Sequence, residues 1–166
     1  MAEDLTIIRG GKTETYQSLI PQMNALLDGE PDIIANLANV CAALKEQFGW
    51  LWVGFYLVKP ASVKTSEEGN ELVLGPFQGP VACTRIKRGR GVCGTAWQNA
   101  MTLIVPDVEK FPGHIACSSL SRSEIVVPVI RNNEVVAVLD VDADLSDQFD
   151  ETDKFFLEKI CSTIIF

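Results

Sequence analysis

The chain has 166 residues and a formal net charge of −8, from 22 acidic and 14 basic side chains. This length suits one compact domain, and a hydrophobic content of 47% is enough for a sizeable core. The acidic balance argues against proteins that follow nucleic-acid phosphates or bind anionic membranes, because both need a basic face. The amino terminus carries acids where a signal peptide carries bases, so we expect a soluble cytoplasmic protein.

The first third of the chain predicts helices. In residues 31–49, apolar side chains recur at four-residue spacing between an initial proline and a final glycine, which predicts a helix. A shorter amphipathic segment at 13–27 comes before it, and we expect Pro21 to interrupt or restart this segment. Cys41 falls on the apolar stripe and is interpreted as a buried, inert thiol.

The middle of the chain alternates between strands and loops. Aromatic and β-branched content or flanking turn residues predict strands at 50–58, 71–77, 81–87 and 102–105. Residues 59–70 are polar and predict an exposed loop, and 91–100 predict a short helix. Residues 106–122 form a long irregular stretch, and such a loop in a compact domain is more often functional than idle.

The last third predicts a hairpin and a helix. The apolar strands 124–130 and 135–142 are joined by Arg-Asn-Asn-Glu, a hairpin turn sequence. After Ser146 the spacing becomes helical, and Cys161 is interpreted as a packing residue of that helix. The predicted fold class is therefore α+β, with a central, mostly antiparallel sheet flanked by helices.

A three-glycine motif, Gly89-Arg-Gly-Val-Cys-Gly94, matches the dinucleotide-binding pattern. That pattern has meaning only between a buried parallel strand and a crossover helix. The strand predicted before Gly89 is polar and hairpin-linked, which favours a turn and a helix start instead. This places Cys93 in the first turn of a helix, where backbone dipoles favour a thiolate.

The five cysteines carry a second signal. In a reducing cytoplasm structural disulfides are rare, and an odd count fits a disulfide framework poorly. Cys83, Cys93 and Cys117 occupy irregular or terminal positions, unlike the two stripe cysteines, which is compatible with redox chemistry or with ordinary small residues. A zinc site with His114 as fourth ligand is the competing hypothesis, although paired Cys-x-x-Cys sequences are absent.

Acidic residues inside apolar strands give the third signal. Asp140 and Asp142 point to the same side of the sheet by strand alternation, and Glu124 begins a neighbouring strand. Such carboxylates bind a cation, shift each other's proton affinities, or cap the following loop and helix. A primary ammonium suits this cluster and also suits Trp52 and Tyr56, which share one face of their strand.

Six segments carry a family resemblance in order along the chain: Trp52-Val-Gly-Phe-Tyr56, Leu74-Gly-Pro-Phe-Gln-Gly79, Gly89-Arg-Gly-Val-Cys-Gly-Thr-Ala96, Gly113-His-Ile-Ala-Cys117, Ser123-Glu-Ile-Val-Val-Pro128 and Val138-Leu-Asp-Val-Asp142. Together they resemble the free methionine-(R)-sulfoxide reductases, a family built on the GAF domain. The resemblance covers almost the whole chain, so we expect a single GAF-like domain over residues 1–166. Residues 1–12 lie outside it and are expected to form a flexible extension.

The resemblance implies a thioredoxin-dependent reductase of free methionine (R)-sulfoxide, often homodimeric, that needs neither a cofactor nor a metal. It implies that Cys83, Cys93 and Cys117 are the redox cysteines. It further implies that Glu124, Asp140 and Asp142 bind the substrate, and that Trp52 and Tyr56 surround its methyl-sulfur end. The long polar loop at 59–70 is the main departure from the family pattern.

The first nucleophile remains open between two cysteines. Cys117 is favoured because a mobile loop suits a nucleophile that must next meet a partner, such as Cys83, whereas Cys93 has the helix-start position. The rival function is a GAF-type sensor that holds a small ligand without turnover. That function explains the fold and the acidic residues but gives no reason for three cysteines in irregular positions.

Overall fold

The computed structural model describes residues 4–61, 69–115 and 118–166. Six antiparallel strands form one sheet in the order β3-β2-β1-β6-β5-β4. The strands are β1 Trp52–Pro60, β2 Asn70–Gln78, β3 Arg85–Ile86, β4 Leu103–Val105, β5 Ser123–Arg131 and β6 Glu134–Ala143. The helices are α1 Lys12–Leu27, α2 Ile33–Phe48, α3 Gly91–Asn99 and α4 Glu151–Thr163, with a 3-10 turn at Val108–Lys110. The predicted α+β class is confirmed.

The main hydrophobic core lies between one face of the sheet and the helices α1, α2 and α4. Helix α2 begins where Asp32 accepts hydrogen bonds from two backbone N–H groups, and it ends at Gly49 with φ of 68°. Cys41 and Cys161 are buried in this core, and burial raises the pKa of each thiol to about 12. Both are therefore inert at neutral pH, as the sequence predicts.

Helix α1 is tied to the start of α4 by a buried charge network. The carboxylate of Asp153 accepts hydrogen bonds from the Tyr16 hydroxyl at 2.9 Å and from the Lys12 ammonium. It also accepts one from the backbone N–H of Asp150, whose own side chain caps the same helix. Because Asp153 is fully buried, these donors are what makes its charge tolerable.

Three predictions about chain organisation need correction. Helix α1 runs through Pro21 without interruption, because proline removes only one hydrogen bond and the helix packs along α2. The strand predicted at 81–87 shrinks to β3, since its first four residues form no ladder with β2. Strands β1 and β2 extend into the predicted loop 59–70, of which residues 62–68 lie outside the described part of the chain.

The second face of the sheet carries a smaller core under α3. The hairpin β5–β6 turns at Asn132 and Asn133, both with positive φ, as the predicted turn sequence requires. In the ranges that the structure describes, no helix has the length and apolar character needed to span a bilayer. It is on this second face, beside α3, that the candidate site lies.

Candidate functional site

A cavity of about 560 Å³, counting its open mouth, lies between the sheet and the first turn of α3. Its lining includes six of the eight predicted site residues: Trp52, Tyr56, Cys93, Glu124, Asp140 and Asp142. Residues from three strands and a helix are thus brought together although they are up to 90 positions apart in the chain. Their assignment as site residues remains a prediction, but their convergence on one cavity is a structural fact.

The sheet register assembles the acidic cluster, which we define as Glu124, Asp140 and Asp142. Glu124 lies directly opposite Asp142 across the β5–β6 ladder, and Asp140 follows on the same face of β6. All three side chains line the cavity, which confirms that the two aspartates point the same way. One oxygen of Asp140, Oδ1, is buried without a hydrogen-bond partner in the described residues.

Burial gives this cluster an unusual affinity for protons. Removal from water, followed by repulsion from the neighbouring carboxylates, raises the pKa of Glu124 well above its usual range. The same two causes raise the pKa of Asp140, and burial raises the pKa of Asp142 to about 6 although the Ser121 hydroxyl donates to it. At neutral pH the cluster therefore combines protonated carboxylic acid with a carboxylate.

Cys93 lies in the first turn of α3, as predicted, with its Sγ 4.0 Å from Oε1 of Glu124. The expectation that this position favours a thiolate is wrong. Burial, followed by the charges of Asp140 and Glu124, raises the pKa of the Cys93 thiol well above its usual value. Here the loss of solvation and three nearby carboxyl groups outweigh the helix dipole.

Metal-ligand geometry exists within the described residues, but it differs from the predicted zinc alternative. Potential ligand atoms of Cys93, Glu124 and Asp140 lie within 4.8 Å of one another. The fourth ligand predicted for zinc, His114, has its Nε2 3.7 Å from Oε2 of Glu124, and burial lowers the pKa of this imidazole. These three residues could therefore hold a cation through one thiol and two carboxylates, rather than through the predicted set of three cysteines and His114.

The aromatic wall, which we define as Trp52 and Tyr56, lines the cavity on β1. The two rings stack with centroids 5.9 Å apart, and Phe77 stacks on the outer side of Trp52 at 5.4 Å. Gly54 lies between the two aromatic residues on the same strand face, where its lack of a Cβ leaves room for the Trp52 ring. The wall is apolar and rigid, which suits a thioether-like group.

Both residues of the wall also hold the segment that leads to Cys83. The Trp52 indole N–H donates to the carbonyl of Pro80 at 3.1 Å, and the Tyr56 hydroxyl donates to the carbonyl of Cys83 at 3.0 Å. Cys83 is half-buried and lies one residue beyond Ala82, which lines the cavity. It belongs to an irregular segment before β3, not to a strand as predicted.

Cys117 lies outside the described residues, so its predicted place in the site is untested. Ile115 and Ser118, the nearest described residues on either side of it, both line the cavity. The structure adds Ser121 and Arg90, which sequence reasoning did not select, and it places His114 beside the acidic cluster. Strand alternation gives no signal for side chains that reach the cavity from loops or from a helix N-cap.

The profile of the GAF domain matches residues 32–165. The chain is 62% identical over 160 residues to "GAF domain-containing protein A" of Dictyostelium discoideum, covering 96% of both chains. It is 42% identical to "Free methionine-R-sulfoxide reductase" of Saccharomyces cerevisiae, covering 92% of this chain and 85% of the yeast protein.

A solved structure shows the same likeness. The free methionine-R-sulfoxide reductase of Neisseria meningitidis in complex with its substrate has a TM-score of 0.88 and 48% identity, and the alignment covers 97% of this chain and 92% of that one. Fold, sequence and family profile agree over nearly the whole length. The chain therefore belongs to the GAF-domain family of free methionine-R-sulfoxide reductases.

Proposed function

We propose that this protein reduces free L-methionine (R)-sulfoxide to L-methionine by cysteine thiol chemistry. The observation that carries the proposal is the cavity in which the acidic cluster faces the aromatic wall beside Cys93. Relatives at 42% identity over most of their length bear the name free methionine-R-sulfoxide reductase, and a structure at 48% identity contains the substrate. The reducing cytoplasm is the compartment where free thiols of this kind are maintained.

Selection for the free amino acid follows from the charges. Asp142, with a pKa of about 6, is mostly ionised at neutral pH and attracts the ammonium group of a free amino acid. A peptide-bound substrate offers an uncharged amide nitrogen there, so it leaves the carboxylate without a counter-charge. Trp52 and Tyr56 pack around the methyl-sulfur end.

The protonated members of the acidic cluster supply the acid. Glu124 and Asp140 have raised pKa values because they are buried beside each other, so at neutral pH a carboxylic acid proton is available in the cavity. Donation of that proton to the sulfoxide oxygen removes the negative charge that develops as the S–O bond breaks. The proton is restored from solvent after methionine leaves.

Two cysteines complete the redox balance. The Cys117 thiolate attacks the sulfoxide sulfur and forms a transient S–S bond. The protonated oxygen then transfers to the Cys117 sulfur while that S–S bond and the methionine S–O bond break, so methionine departs reduced by two electrons and Cys117 becomes a sulfenic acid. The Cys83 thiol then condenses with it, releasing water and forming a disulfide, which a thioredoxin dithiol reduces by exchange. We prefer Cys117 to Cys93 as nucleophile because the raised pKa of Cys93 keeps it a thiol at neutral pH.

The test is NADPH consumption with thioredoxin and thioredoxin reductase. Free methionine (R)-sulfoxide, its S epimer and an N-acetylated R form are offered in parallel to the full-length protein. Turnover of the free R form alone supports the proposal. Sedimentation of the same sample measures its mass in solution and so tests whether the protein is a homodimer. Tight binding of a small ligand without turnover would instead establish the sensor.

Single-turnover assays without reductant separate the cysteines. Cys117→Ser is expected to release no methionine, whereas Cys83→Ser and Cys93→Ser still release about one per chain. Release of methionine by Cys117→Ser would move the nucleophile to Cys93.

A further inference from the structure

One positive charge at the cavity has no partner among the residues that the structure describes. Arg90 is exposed, lines the cavity, and makes no ion pair or side-chain hydrogen bond with any residue that the structure describes. By comparison, the Arg85 guanidinium is paired with Glu71, and that of Arg122 lies 2.9 Å from Glu109. An unpaired guanidinium beside a cavity is available for a ligand anion.

The three-glycine motif fixes where Arg90 stands. Gly89 and Gly91 have φ of 75° and 61°, so the backbone reverses on both sides of the arginine. The turn is closed by hydrogen bonds from Arg90 N to Lys87 O at 3.1 Å and from Gly89 N to Gly94 O at 2.8 Å. A motif that resembles a dinucleotide fingerprint thus holds the N-cap of α3, and with it Arg90, at the cavity.

The acidic cluster offers a counter-charge to the ammonium group of a free amino acid but none to its carboxylate. Its ammonium and carboxylate sit on the same carbon atom, so a pocket with an ionised acid attracts the first group and repels the second. Glu124 and Asp140 of the acidic cluster are buried and Asp142 is half-buried, whereas Arg90 is exposed on the same cavity. A cation placed there converts a site for amines into a site for zwitterions.

We propose that Arg90 binds the α-carboxylate of the substrate and is a specificity-determining residue for the free amino acid. This inference rests on the proposed reductase function and deepens it. The acidic cluster then rejects substrates extended at the amino end, and Arg90 disfavours those extended at the carboxyl end. The two selections use different residues and are separable by mutation.

The experiment compares methionine (R)-sulfoxide with its C-terminal amide, which keeps the ammonium but lacks the carboxylate. Both are offered to the full-length wild type, Arg90→Ala and Arg90→Lys, with the thioredoxin system. Arg88→Ala is the matched control, because Arg88 is also exposed but lies over the Trp97 ring, 5.6 Å from its centroid.

We expect Arg90→Ala to raise KM for the free acid by roughly 3- to 10-fold, with kcat within about twofold, since an exposed ion pair is a modest interaction. KM for the amide stays unchanged, so the preference for the acid is lost. Arg90→Lys retains part of the preference and Arg88→Ala all of it. If Arg90→Ala still prefers the free acid to the amide as strongly as the wild type does, the role of Arg90 is overturned and the proposed function is not. If the wild-type protein does not turn over methionine (R)-sulfoxide, the proposed function is overturned as well.

Discussion

The hydroxyl of Tyr56 donates a hydrogen bond to the backbone carbonyl of Cys83 over 3.0 Å. A residue of the aromatic wall therefore also holds the chain segment that carries a proposed redox cysteine. Under the proposed function, Tyr56 would therefore link substrate binding to the position of Cys83.

Tyr56→Phe should separate the two roles, because it keeps the ring and removes the hydroxyl. We expect a loss of about 0.5–1.5 kcal/mol in the free energy of unfolding, the usual worth of one hydrogen bond. KM should change little, while formation of the intramolecular disulfide after one turnover slows, as followed by thiol labelling and mass spectrometry. A wild-type rate of disulfide formation would show that Cys83 does not depend on this contact.

Gly54→Ala tests the space beneath the Trp52 ring. An added Cβ would lie 2.7 Å from Cζ3 of Trp52 and 2.5 Å from Cβ of Phe77, so the ring must move. We expect a destabilisation of about 1–3 kcal/mol in urea unfolding and a higher KM. Gly11→Ala is the control: a Cβ there meets nothing within 4 Å, and its backbone is extended. Equal effects of the two variants would contradict the steric argument.

The acidic cluster should make stability fall as pH rises. Burial raises the pKa of Asp142 from 3.8 to about 6, so the folded state holds a proton that the unfolded state releases. The stabilisation is complete below pH 4 and is lost as pH rises through 6. Asp142→Asn should therefore match the wild type near pH 4 and exceed it by about 2–3 kcal/mol at pH 8.

Urea unfolding across this pH range measures the difference between Asp142→Asn and the wild type. Asp144→Asn, which changes an exposed carboxylate two residues further on, serves as the control and should follow the wild type at every pH. A constant difference between Asp142→Asn and the wild type would mean that Asp142 titrates at the same pH in both states.

The Asp153→Ala variant should lower the free energy of unfolding without changing catalytic activity. Removing this carboxylate leaves the buried Tyr16 hydroxyl without its acceptor, while Lys12 keeps Asp150, so we expect a cost of about 1–3 kcal/mol. Activity per folded molecule should be unchanged, because the network lies on the face opposite the cavity. Glu151→Ala, in the same helical turn but 80% exposed, should cost under about 1 kcal/mol. A fall in kcat for correctly folded Asp153→Ala would refute this independence.

Periodic signals predicted the fold well. The four-residue spacing before Gly49 and the two asparagines between β5 and β6 each specify a local backbone, and the structure agrees with both. The prediction of a strand at 81–87 was wrong in length. These residues have strand propensity, but only Arg85 and Ile86 pair with β2. Local preference cannot tell where a segment stops pairing with its neighbour, since β2 itself continues to Gln78.

The site was predictable where it lies on strands. Alternation placed Asp140 and Asp142 on one face, but it could not place Ser121, which reaches Asp142 from a loop. The protonation of Cys93 was also out of reach. A helix start favours the thiolate, and only the three-dimensional neighbourhood reveals the burial and carboxyl groups that oppose it.

The turn at Asn132 and Asn133 has a consequence far from its own position. It and the irregularity at Val129 and Ile130 set the register that puts Glu124 opposite Asp142, about 26 Å away along the hairpin. Insertion or deletion of one residue near the turn would shift the register of one strand. Its side chains at the cavity end of the hairpin would then point to the opposite face of the sheet. The length of this turn is therefore constrained by the need to keep the carboxyl groups of a distant cavity on one face of the sheet.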